Sequence, residues 1–172
     1  MRKRLWARND FRIESLQQIF IGLNNSILCL RKRMEESDWY DGDWFRQDTE
    51  PIYGLAFVSL QNYINGSIYD LTGEASNKLF YYKITPNLHG FENTAIELII
   101  ALANYSKHKD EKPLHLGTQK ALTNFGLKYD DVYDSPVFDG LEKLDKDYNL
   151  FTILKTVADW RETMWLNSET ED

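Results

Sequence analysis

An all-α bundle of four main helices plus short helices, one helical domain over residues 1–172, is the fold this sequence predicts. Three observations point there. Apolar residues recur at steps of three and four through four long segments. Almost no run alternates with the period of two that a strand requires; Leu79–Ile84 comes nearest and is short. A chain of 172 residues, 42% hydrophobic and 27% charged, suits one buried core and is too apolar for disorder.

The first segment, about Asp10 to Met34, puts Ile13, Leu16, Ile19, Phe20, Leu23, Ile27, Leu30 and Met34 on one face. Its last turn carries Arg31, Lys32 and Arg33, favourable beside the negative end of the helix dipole. Cys29, the single cysteine, sits in this apolar run, where a small buried hydrophobe is expected. The second segment runs from about Thr49 to Leu71, with Thr49 as N-cap and Pro51 in the first turn, where its missing N–H costs nothing. Ile52, Leu55, Ala56, Tyr63, Ile64 and Ile68 form its stripe, and Gly73 terminates it. Gly54 and Gly66 either weaken this helix or admit a close neighbour. The third, Thr94–His108, is apolar almost all round from Ile96 to Ala103, which marks the most buried helix. Two short helices follow, Thr118–Phe125 opening at a Thr N-cap and closing at Gly126, and Val137–Leu144. The fourth long segment, Leu150–Leu166, aligns Ile153, Leu154, Val157, Trp160, Met164 and Trp165.

Net charge is −7, which argues against a phosphate-backbone binder and for a basic partner, with no direct nucleic-acid contact expected. No stretch approaches the roughly 18 uninterrupted apolar residues of a membrane span. The start, MRKRLWARNDFRIE, is basic but lacks the continuous apolar core of a signal peptide, so the expected address is cytoplasmic. The Asn-x-Ser matches at Asn24, Asn65 and Asn104 then carry no glycan.

Two acidic stretches interrupt the helices. Residues 35–44 read EESDWYDGDW, and residues 128–148 hold Asp130, Asp131, Asp134, Asp139, Glu142, Asp145 and Asp147 among Tyr129, Tyr133 and Phe138. Rings give large contact area at low entropy cost, and clustered carboxylates complement a basic cleft. Asp38, Trp39, Tyr40, Asp41, Asp43, Trp44, Asp130, Asp131 and Asp134 are therefore the candidate partner-binding residues. The competing reading is a solvated connector whose tryptophans tuck back into the bundle.

A catalytic alternative lies on the third helix. Glu97, Asn104 and His108 fall at offsets of seven and four and share a face, so His108 could act as a general base beside Asn104 and Tyr105. The same pattern suits a polar network that satisfies its own hydrogen bonds and caps the helix end. His89, His108 and His115 have no metal-ligand spacing, and Asp38–Asp43 lacks the alternating ligands and distal Glu of an EF-hand. P-loop, GxGxxG and GxSxG signatures are missing. No metal or cofactor is expected.

The string ANYSKHKDE, preceded by IELIIAL and by EPIYGLAFVSLQNYINGSIYDL, resembles the HEPN superfamily of helical bundles. That resemblance implies a short all-α chain, often dimeric, with a ribonuclease motif R-(polar)-x-x-x-H. His108 takes the His place and Asn104 the polar place, while Ala103 stands where the family has Arg, leaving no guanidinium to hold a phosphate. In size, negative charge, single cysteine and the loops EESDWYDGDW and KYDDVYD, the chain also resembles small acidic immunity proteins of bacterial contact-dependent inhibition systems. This second resemblance implies a non-enzymatic protein that covers the active site of a cognate basic toxin, here a ribonuclease. A 14% aromatic content could equally serve a homodimer interface.

Overall fold

The computed structural model describes residues 5–74, 76–131 and 133–170. A short 3-10 turn, Leu5–Arg8, precedes α1 (Ile13–Glu36), α2 (Gly42–Thr72), α3 (Lys78–Tyr82), α4 (Ala95–His108), α5 (Leu116–Asn124), α6 (Pro136–Leu144) and α7 (Leu150–Thr170). The fold is all-α. Among the described residues the sole β feature is an isolated antiparallel bridge between Asn87 and Thr94.

The apolar wrap of α4 is explained by its neighbours. It packs on α2, α5 and α6, so Ile96, Leu98, Ile99, Ala101, Leu102 and Ala103 are all buried. α1 and α7 pack on α2 in turn, where Phe57, Leu60, Ile64 and Ile68 meet the core, joined by Trp160 and Trp165 of α7. Two glycines set the spacing. A Cβ on Gly54 would stand 2.9 Å from Ser106 Oγ of α4, and one on Gly140 only 2.5 and 2.7 Å from the two methyls of Leu102. At both glycines a Cβ would require the facing α4 side chain, Ser106 or Leu102, to shift.

Local chemistry fixes the helix ends. Thr94 and Glu97 form a reciprocal capping box at α4. Gly73 adopts φ 76° and returns its N–H to Tyr69 O at 2.7 Å, closing α2. Ser135 Oγ accepts from Phe138 N ahead of α6, and Asn149 Oδ1 accepts from Phe151 N ahead of α7.

Several expectations need correction. α2 starts at Gly42, not near Thr49: Asp41 Oδ1 accepts from the N–H groups of Asp43 and Trp44, and the helix runs on through Pro51. That cap satisfies orphan donors a full two turns upstream, and Pro51 forfeits only one backbone bond. Leu79–Ile84 is no strand, since Lys78–Tyr82 is a short helix entered from Asn77 at φ 59°. α5 is capped by His115, whose Nδ1 accepts from Gly117 N, while Thr118 is a buried residue of the helix itself. Cys29 is exposed, as are Ile19, Leu55 and Leu166.

The N-terminal segment is strapped to α7. Arg161, 4% exposed, donates to Ala7 O (2.7 Å) and Arg8 O (3.3 Å), with Asp10 Oδ2 at 3.6 Å. Tyr63 of α2 donates its hydroxyl to Asp10. Arg8 pairs with Glu162 and Glu169, and Arg12 forks onto Asp70 at 2.9 and 3.0 Å. Contact with Arg8 holds the Glu162 carboxyl below its ordinary range.

Candidate functional site

The earlier start of α2 changes what the first acidic stretch is. Asp43 and Trp44 belong to the first helical turn, and only residues 37–41 form a connector. The connector is anchored from both sides. The Arg33 guanidinium lies 4.8 Å from the Trp39 ring centroid and 4.6 Å from that of Tyr40, a cation–π clamp across the turn. Tyr40 is 1% exposed, and its hydroxyl donates to Asp48 Oδ2 at 2.7 Å. Burial, and then that bond, push the phenol above its ordinary pKa. As an exposed anchor Tyr40 is therefore corrected to an internal strut. Trp39 (61% exposed) and Trp44 (49%) do face outward.

The second acidic stretch is shaped by its own carboxylates. Asp134 Oδ2 accepts from the backbone N–H groups of Asp130 (3.0 Å) and Asp131 (2.9 Å), and Asp131 Oδ1 accepts from Tyr133 N (3.1 Å). Ser135 Oγ then donates to Glu50 Oε2 of α2 at 2.8 Å, while Glu50 Oε1 receives Lys109 Nζ at 3.3 Å. These bonds bring the two stretches to one face.

Between them lies a groove of about 590 Å³. α2 contributes Asp43, Arg46, Gln47 and Glu50, and the opposite wall is Tyr133, Asp134 and Ser135. Arg46, the cation of this lining, sits 4.9 Å above the Phe138 ring, which holds it against the wall. The negative field is felt at the neighbouring Tyr105, whose phenol is pushed up to about 12, first by burial and then by Glu50, Asp110 and Asp134. Asp38, Asp41, Asp130 and Asp131 are exposed around this face, although Asp41 is committed to capping α2. Tyr133, at 90%, is the most exposed large ring here and was not singled out as an anchor by sequence. Arg46, Gln47 and Glu50 were missed as well. Their signal was the spacing 43, 46, 47, 50, one helical face that is visible only once α2 is started at Gly42.

The catalytic alternative does not converge. His108 Nδ1 lies 2.7 Å from Glu111 Oε1, whereas Asn104 Oδ1 accepts from Gln61 Nε2 at 2.9 Å and Gln61 Oε1 accepts from Lys107 Nζ at 2.7 Å. Ala103, at the family's Arg place, is fully buried. Glu97 is held by the capping box at the opposite end of α4. Asn104 and Glu97 instead line a second cavity together with His115. Among the described residues no group of three or more His, Cys, Asp or Glu could hold a metal ion, and no helix is long and apolar enough to cross a membrane. Comparison with protein-family models, curated proteins and solved structures finds no match to the chain.

Proposed function

We propose that this chain is a non-enzymatic inhibitor of the immunity-protein kind, which seats its acidic groove and flanking rings on the basic cleft of a ribonuclease toxin and occludes it. The observation that carries the reading is the meeting of the two acidic stretches at one groove, with Asp43 on one wall and Asp134 on the other. Trp39, Trp44 and Tyr133 stand exposed on those same two stretches and supply the apolar contact area that a charged surface alone lacks. The carboxylates steer encounter and fix orientation against the partner's phosphate-binding Lys and Arg. Asp38, Asp41, Asp130 and Asp131 extend the negative surface, and Tyr40 acts from beneath by holding the connector.

Inhibition is the direct assay. Titrated into an RNA-cleavage reaction of its cognate basic ribonuclease toxin, the chain should stop turnover at one equivalent. A double Asp43→Lys, Asp130→Lys variant should fold normally and bind at least about 2 kcal/mol more weakly, roughly thirtyfold. Full cleavage in the presence of excess chain, or an affinity indifferent to both salt and that variant, overturns the proposal. RNA cleavage at His108 draws no support from the end of α4, where His108 meets Glu111 and Asn104 meets Gln61. Cleavage by the isolated chain that vanished in His108→Ala would restore it.

A further inference from the structure

The second cavity, of about 300 Å³, lies where α3, α4 and α5 meet, away from the acidic groove. Its volume equals roughly ten molecules of liquid water at about 30 Å³ each, at the small end of the range for small-molecule sites. Its walls combine two chemistries. Tyr82, Ile100, Ala121 and Phe125 are apolar or aromatic, and Glu97, Asn104, His115 and Thr118 are polar.

The polar groups have unused capacity. Thr118 is 5% exposed, and its hydroxyl makes no hydrogen bond with another described residue. Thr49, Ser106, Thr123 and Thr156, by contrast, each bond back to the carbonyl four residues earlier. The corresponding carbonyl for Thr118, Leu114 O, is already taken by Gln119 Nε2. Asn104 accepts from Gln61 through Oδ1, which leaves its two amide N–H donors. His115 accepts from Gly117 N through Nδ1, so the neutral ring carries its proton on Nε2 and donates there. Gly117 makes this fold-back possible, because a Cβ would lie 3.1 Å from the ring. Glu97 accepts from Thr94 N and Asn93 Nδ2, has Lys83 Nζ 3.9 Å from Oε1, and retains further lone pairs.

From this inventory we infer that the cavity is a binding site for a small, neutral, planar carboxamide or lactam. The ligand's carbonyl oxygen accepts from the Asn104, Thr118 and His115 side, its N–H donates to Glu97, and its ring lies against Phe125 and Tyr82. A carboxylate ligand would set an acceptor oxygen against the Glu97 carboxylate where an amide N–H donates, and a purely apolar molecule would leave the Thr118 hydroxyl without a partner. The site owes nothing to the inhibitor reading and stands or falls apart from it.

Benzamide is the probe, with benzoate and toluene as the anionic and apolar comparisons, each titrated into the full chain by NMR. Benzamide should produce saturable shifts at the backbone amides of Ala101, Thr118 and Ala121 with a dissociation constant of about 1 mM. Benzoate and toluene should bind more weakly. Thr118→Val removes only the unpartnered hydroxyl and should cost about fivefold in benzamide affinity. Ala121→Phe, which fills the cavity, should abolish binding. Absence of saturable shifts, equal binding of benzoate or toluene, or an unchanged affinity in Thr118→Val overturns the site.

Discussion

The C-terminal half of α2, with α7, and the N-terminal end of α2 use the same residue types to opposite effect. At the strap, every charge has a partner on its own chain: Arg161 holds two carbonyls and faces Asp10, Arg8 holds Glu162, and Arg12 holds Asp70. At the groove, Asp38, Asp43 and Asp130 pair with no Lys or Arg among the described residues and stand near exposed rings. At Arg161 the difference follows from burial, whereas Arg8 and Arg12 make their pairs at the surface. A guanidinium 4% exposed must be fully bonded, because leaving it unpaired costs several kcal/mol. A carboxylate in water carries no such requirement, so its charge stays available to something outside the chain.

The sharpest way to break this contrast is at Arg161. Arg161→Ala should destabilise the fold by about 3 kcal/mol in urea unfolding, since it orphans the carbonyls of Ala7 and Arg8 and removes the buried guanidinium that faces Asp10. Tyrosine titration tests the groove side next. Tyr105 behind the groove is pushed up to about 12 by burial and then by Glu50, Asp110 and Asp134, so its phenolate should form only in strongly alkaline solution. Because the folded pKa of Tyr105 is raised above 10, its contribution to stability is complete below pH 10 and is lost as pH climbs through 12. Tyr105→Phe should remove that part of the alkaline loss. Asp41→Ala should cost about 1 kcal/mol by uncapping α2. Smallest of all, Asp43→Asn and Tyr133→Ala should move stability by less than about 0.5 kcal/mol, as surface changes do. A large loss at Asp43 would mean that the groove, too, is internal structure.

The four long helices were legible because each has a periodic face and, for α4, an apolar wrap that only a central position explains, whereas α3 is too short to show one. What escaped was set by tertiary partners. Cys29 lies two residues beyond the buried Ile27, about 200° around the helix, so an apolar run put it inside when geometry puts it outside. Leu55 is exposed because the buried stripe of α2 runs through Tyr53, Phe57, Leu60 and Ile64 instead. The two acidic stretches were visible as composition, yet their meeting depends on the Ser135–Glu50 bond, which links residues 85 positions apart. Thr118 looked like a cap because nothing local reveals that His115 turns back to take that role.

Gly140 has a bearing on the groove that its own surroundings conceal. α6 rests on Leu102 without a methyl group to spare, and the helix begins at Pro136, directly after the Ser135 that ties the acidic wall to α2. A single carbon added at Gly140 would force either Leu102 or α6 to give way, so the seating of the acidic wall depends on a core contact that alters no carboxylate in the sequence.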